Sequence, residues 1–206
     1  MAFPPLLPAA TFPPLAWFHL ALRQGSRVCI HENFVKQSLR NRICLVDSCG
    51  PMHVTFPIEK PNRLYRDTRG IRFSDKVHPS LLLKVLQTNC GKAPFYEHYL
   101  PDITEWANTW LQPGQFMTQA ALSSTQWACS SLGWDHPELT SEYLDGMDWD
   151  DWRPKARWKT IKTPRYPQVF EDRLSFVSGR SILDVLLHVG PDTRDLPSCH
   201  GNDSPA

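Results

Sequence analysis

Residues 6–30, LLPAATFPPLAWFHLALRQGSRVCI, decide the fold. Leu6 to Ala10 is a short apolar run, Leu15 to Gln24 carries apolar groups at helical spacing, and Val28 to Ile30 is β-branched and apolar. Phe12-Pro13-Pro14 supplies a turn, Pro14 stands near the helix start where a missing N–H costs nothing, and Gly25 stands where a helix stops. Strand, turn, helix and strand in that order make a βαβ unit.

Working outward, Ile43–Asp47 and His53–Ile58 are β-prone runs around Ser48-Cys49-Gly50-Pro51, which predicts a hairpin, and Arg69–Phe73 suits a further strand. The pattern then turns helical over Pro79–Asn89, Phe95–Leu111 and Phe116–Leu132. In the second of these, Phe95, Tyr99, Ile103, Trp106 and Trp110 form one apolar stripe. Residues 134–164, rich in Asp, Trp, Lys and Pro, have no period and read as an extended connection. Their tryptophans, Trp149, Trp152 and Trp158, suit anchoring of that segment to the core better than stacking on a sugar. A last helix opens with Ser181-Ile182-Leu183-Asp184, a hydroxyl cap with a carboxylate in the first turn, and closes at Gly190-Pro191. The expectation is one α/β domain over residues 1–193, with a mixed β-sheet in the N-terminal half and helices gathered in the C-terminal half. A flexible polar tail is expected over 194–206.

Composition narrows the function. A chain of 206 residues with 41% hydrophobic residues can bury one substantial core. Its net charge of +1 makes no field able to hold a nucleic-acid backbone or an anionic membrane, so anion recognition must be local. No apolar run reaches the length of a transmembrane helix. The N-terminus lacks a basic region, and Pro4, Pro5, Pro8 and Pro13 would break a signal-peptide helix, which points to the cytoplasm. The six cysteines are irregularly spaced and read as reduced thiols. Cys44, Cys49 and His53 lack a Cys-x-x-Cys pair and an evident fourth ligand, so no metal site is assigned and no cofactor is specified.

The chemistry concentrates in HENFVKQSLRNR, residues 31–42, directly after Val28-Cys29-Ile30. Charges alone fit a solvated loop. The carboxyl end of a strand in an open α/β sheet is, however, where ligands bind, and His31 sits there. Lys36, Arg40 and Arg42 suit a phosphate or carboxylate, and Asn33, Gln37 and Asn41 suit specific hydrogen bonds. His31 has the side chain for proton transfer near neutral pH, with Glu32 to orient it. His31 and Glu32 are therefore the expected catalytic pair. Asn33, Lys36, Gln37, Arg40, Asn41 and Arg42 are expected to bind substrate, with Tyr166 and Gln168 reaching the same pocket from the late segment.

The segments ATFPPLAWFHLAL, VCIHENFVKQSLRNR, FPIEKPN, GKAPFYEHY and YPQVFEDRLSFVSGRSILDVLLHVGP, in this order between residues 9 and 191, together resemble the successive motifs of the WbqC-like proteins. The resemblance implies a bacterial protein of a family named after surface-polysaccharide (O-antigen) gene clusters, for which a transferase role is proposed. The expected ligand is a small anionic metabolite or an activated sugar or acyl donor. The family's motifs fall here on residues 31–33, 36, 37 and 40–42, on Phe12 and Pro13, and on Tyr166, Gln168, Phe170 and Asp184. The chain departs from the pattern at Ala9-Ala10, Leu81-Leu82-Leu83 and His188-Val189, which leaves open a non-catalytic metabolite-binding or protein-interaction module.

Overall fold

The computed structural model describes residues 3–60 and 67–198. Residues 199–206 of the expected tail, and Pro61 and Asn62 of the quoted FPIEKPN motif, lie outside the described residues.

The βαβ unit forms as read: β1 (Pro5–Pro8), α1 (Leu15–Ala21) and β2 (Arg27–Cys29), with β1 and β2 parallel and Leu7 opposite Val28. Six of the seven residues of α1 are buried, and the Trp17 indole N–H donates to the Pro8 carbonyl at 3.0 Å, which ties helix to strand. A buried side chain of this size contributes roughly 1.5–3 kcal/mol by its removal from water. The turn before α1 is held in an unusual conformation. Phe12 has φ of 41° yet is 1% exposed, its ring edge-to-face with Trp106 and Trp127, so packing imposes a backbone state that a non-glycine residue otherwise avoids.

β3 (Arg42–Asp47) and β4 (Gly50–Thr55) make the expected antiparallel hairpin, closed by the two residues Ser48 and Cys49. Its alternation is regular: Ile43, Leu45 and Val54 turn into the core, while Arg42, Cys44, His53 and Thr55 share the opposite face. The three middle helices appear as α2 (Ser80–Cys90), α3 (Tyr96–Trp110) and α4 (Met117–Leu132), with Tyr99, Ile103 and Trp106 of the α3 stripe buried. α5 (Ile182–Val189) begins where the Ser181 hydroxyl accepts from the Leu183 N–H.

Two expectations change in detail. Residues 69–73 form no strand. A 3-10 turn occupies Thr68–Gly70, and Phe73 and Arg72 make single bridges to Ile58 and Phe116, because the backbone there divides its bonds between residues 57–59 and the turn before α4. The aperiodic segment 134–164 is ordered and completes the sheet. β5 (Glu138–Leu139) pairs with β2 and β6 (Asp150–Asp151) with β1, both parallel, giving the order β5-β2-β1-β6. Parallel and antiparallel pairing both occur, in separate ladders, within one α/β domain.

Two of the tryptophans of that segment, Trp152 and Trp158, anchor it. Trp152 is buried, its indole donates to Asp150 at 2.7 Å, and Trp158 donates to the Trp152 carbonyl at 2.8 Å. Arg153 forks on Asp151 through Nε and Nη2, both at 2.9 Å, and caps the Leu144 carbonyl at 2.7 Å. Gly146, at φ of 93°, lies so close that an added Cβ would fall 2.8 Å from the Asp151 carboxylate and 2.9 Å from the Arg153 guanidinium.

Candidate functional site

Residues 31–42 do not line a single pocket; they run between two. Glu32 and Arg40 are the hinge of that division. Arg40 is 1% exposed and Glu32 7%, and the guanidinium is forked on the carboxylate, Nε to Oε1 at 2.9 Å and Nη2 to Oε2. Burial pushes the Glu32 carboxyl up, while Arg40 pulls it back. Asn41 is buried too, its amide donating to the Phe56 carbonyl at 2.8 Å. Glu32 and Arg40 therefore close the loop on itself, Asn41 ties its end to the residue after the hairpin, and the Arg40 fork is already filled by Glu32. Lys36 is exposed and contributes its backbone carbonyl to Lys155 at 3.4 Å.

On one side, His31, Glu32 and Asn33 border an open cavity of about 310 Å3 with Asp67, Arg69, Ser141, Glu142 and Tyr143. Its charges are mixed. Arg69 forks on Asp67, with Nη2 to Oδ2 at 2.6 Å, and these bonds hold the Asp67 carboxyl below its ordinary value, with His31 adding to the effect.

On the other side, Gln37, Ser38, Leu39 and Arg42 border a second cavity of about 350 Å3. Its remaining walls are Pro14, Cys44 and His53, then Lys155, Trp158, Lys159 and Ile161, then Ser178, Gly179 and Arg180. Arg42, Lys155, Lys159 and Arg180 all face this space, and among the described residues none of its lining is Asp or Glu and no carboxylate ion-pairs with any of the four. The two guanidiniums are positioned by neutral acceptors: Arg42 Nε donates to Thr55 Oγ1 at 3.0 Å, and Arg180 Nη1 to the Leu45 carbonyl at 3.0 Å.

The fold explains how Arg180 arrives there. The Ser181 N–H donates to the Cys44 carbonyl at 2.7 Å, its hydroxyl donates to the Phe12 carbonyl at 2.7 Å, and the Ile182 N–H donates to the Pro13 carbonyl at 2.8 Å. The chain entering α5 is thus clamped between the Phe12-Pro13-Pro14 turn and β3. Gln37 reaches the rim in a left-handed conformation, at φ of 56°.

Cys44 and His53 face each other across the hairpin, Sγ to Nδ1 at 3.3 Å. Burial pushes the Cys44 thiol up, with Arg180 and Arg42 opposing. Burial also holds the His53 imidazole below its ordinary value, and the same two guanidiniums add to that. Among the described residues no group of three His, Cys, Asp or Glu side chains is arranged to hold a metal. Cys29, Cys44, Cys49, Cys90 and Cys129 are free thiols.

Tyr166 and Gln168 join neither cavity. Both are buried, the Tyr166 hydroxyl donating to Asp184 Oδ2 at 2.5 Å and the Gln168 amide bridging Tyr166, Asp184 and the Val177 carbonyl. His188 completes the cluster, Nδ1–H to the Asp184 carbonyl at 2.6 Å and Nε2 accepting from the Val169 N–H at 3.0 Å. Burial pushes both the Tyr166 phenol and the Asp184 carboxyl up. This cluster fastens residues 166–177 onto α5; the sequence placed these side chains at a ligand because their chemistry is the same in either setting.

The WbqC-like protein family matches the sequence over residues 9–148. The chain belongs to the WbqC-like protein family. No curated protein and no solved structure matches it. In this WbqC-like protein the matched span contains the hairpin with Arg42, Cys44 and His53, whereas Lys155, Trp158, Lys159 and Arg180, and the late segment from Tyr166, lie beyond it. Among the described residues no helix is long and apolar enough to cross a membrane. Sequence reading reached Gln37 and Arg42 of the basic cavity and missed its other cations, which come from an aperiodic segment and from the approach to α5. The clue to Arg180 was its place just before the Ser181 cap, the point where the chain must dock.

Proposed function

We propose that this WbqC-like protein binds an anionic activated donor in the basic cavity and acts as a transferase, in keeping with the surface-polysaccharide (O-antigen) role that the family resemblance implies. The observation that carries the reading is the convergence of Arg42, Arg180, Lys155 and Lys159 on about 350 Å3 with no carboxylate among the described residues of the lining. Four like charges at close quarters repel, and a phosphate or pyrophosphate group entering among them relieves that repulsion. The two guanidiniums offer forks that match phosphate oxygens, and the two exposed ammoniums add point charges at the rim. Gln37 and Ser38 supply neutral hydrogen bonds, and Trp158 with Ile161 supplies an apolar wall for the uncharged part of a sugar or acyl carrier.

A second reading, non-catalytic binding of an anionic metabolite in the same cavity, draws on one observation. His31, the expected base, borders the mixed cavity and not the basic one.

The test is a thermal-shift and calorimetric series with pyrophosphate, UDP, a UDP-sugar and coenzyme A against an uncharged sugar. A ligand that binds only the folded protein raises its stability. Phosphate-bearing ligands are expected to raise the melting temperature, and the effect should weaken from low to physiological salt. The double variant R42Q/R180Q should lose about tenfold or more in affinity, about 1.4 kcal/mol. Equal responses to charged and uncharged ligands would overturn the reading, and binding without turnover of any donor would favour the second one.

A further inference from the structure

The basic cavity holds, beside its cations, the one thiol in contact with an imidazole among the described residues: Cys44 Sγ and His53 Nδ1, 3.3 Å apart on directly opposed residues of β3 and β4. Both line the cavity, so a ligand held by Arg42 and Arg180 lies against them. The hairpin fixes the pair, since cross-strand neighbours on one face are held by the ladder and not by flexible side-chain reach. The other free thiols differ. Cys29, Cys90 and Cys129 are buried, and Cys49 is exposed on the turn beside Asp47.

From this geometry we propose that Cys44 is an acyl-accepting nucleophile with His53 as its base, and that the donor is an acyl thioester on a phosphate-bearing carrier of the coenzyme A or phosphopantetheine class. The proposal rests on the basic cavity being the donor site. In the first step His53 Nδ1 takes the proton from Cys44 as Sγ bonds to the thioester carbonyl carbon. The carbon–sulfur bond to the carrier then breaks, and the departing carrier sulfur takes the proton back from His53. In the second step an amine or hydroxyl acceptor attacks the Cys44 thioester while His53 removes its proton, and Cys44 leaves and is reprotonated. The acyl group passes from carrier thiol to acceptor with no change of oxidation state.

The surroundings support both halves of the step. The His53 imidazole, held down by burial and by Arg42 and Arg180, is available as a base at neutral pH, and the same guanidiniums favour negative charge as it develops on Cys44 Sγ. A thiol that is otherwise pushed up by burial gains most from a base in contact with it.

The experiment incubates the full chain with acetyl-CoA, quenches in acid, and maps adducts by mass spectrometry, with the CoA-induced thermal shift measured in parallel. One hydroxylamine-labile acetyl group is expected, on Cys44, and absent from C44A. H53Q should slow its formation about a hundredfold, as removal of a general base does. Acetylation of Cys44 no faster than of Cys49, or unaffected by H53Q, would overturn the proposal. A thermal shift without any adduct would overturn the nucleophile and leave the donor cavity standing, whereas neither shift nor adduct would overturn both.

Discussion

Facing one way from the polar stretch 31–42, His31, Glu32 and Asn33 look onto a cavity in which Arg69 is forked on Asp67 and Glu142 adds a further carboxylate. Facing the other way, Gln37 and Arg42 look onto a cavity of similar size whose four cations meet no carboxylate among the described residues. Between them Arg40, chemically identical to Arg42 and two residues away, is buried on Glu32. A cation whose partner is supplied by the fold is structural, and a cation left with neutral acceptors can serve a ligand. Residue type alone does not distinguish the two; pairing and burial do.

The largest effect should come from breaking the pair that divides the cavities. E32Q leaves the Arg40 guanidinium buried without its counter-charge and should cost about 3–5 kcal/mol in a urea unfolding midpoint. A loss under about 1 kcal/mol would mean that Arg40 can reach water or a ligand, and the division would blur.

Next comes D151N, which removes the carboxylate under Arg153 and should cost about 1.5–3 kcal/mol, the value of hydrogen bonds to a charged group. The sign with pH follows from the shift. Burial pushes the Asp151 carboxyl up, but the bonds from Arg153 outweigh it and the net direction is down. Its contribution to stability is therefore present above the ordinary carboxylate value of 3.8 and is lost as pH falls through the lower folded value. Unfolding midpoints measured from pH 6 to pH 3 should fall less steeply in D151N than in the parent, and equal slopes would count against the pairing.

R42Q/R180Q should behave in the opposite way to E32Q: a stability loss under about 1.5 kcal/mol, since only neutral acceptors lose a donor and no buried charge is orphaned, together with lost phosphate affinity. The smallest effect belongs to H31A, which should change phosphate affinity less than twofold by calorimetry because His31 borders the other cavity. A large loss in H31A would join the two cavities into one site.

Much of the architecture was legible. α1, α2, α3, α4 and α5 have strong periods or caps, and β1 and β2 bracket a helix whose Pro and Gly stand at its ends. The hairpin was legible as an element but not in its register. A turn read over residues 48–51 hides the pairing of Cys44 with His53, whereas the loop is Ser48-Cys49 and Gly50, at φ of 127°, already belongs to β4. β5 and β6 have two residues each and follow no pattern, because their place is set by partners far away in sequence. The site suffered most from the same cause. Arg42 could be read, but Lys155, Lys159 and Arg180 reach it only through docking of the Trp-anchored segment and of the Ser181 cap against β3.

The late arrival of β5 and β6 also bears on how the sheet avoids edge-to-edge pairing while the chain folds. β1 and β2 are made before β5 and β6, with Leu6, Leu7 and Val28 on strands whose outer rims gain their neighbours only with residues 138–139 and 150–151. Such rims template pairing with other chains. The segments that finally cover them are two residues long and carry Glu138 on one side and Asp150 and Asp151 on the other, paired with Arg27, Arg157 and Arg153. The finished sheet thus ends on both sides in short, charged borders, a shape that offers an approaching strand little to extend.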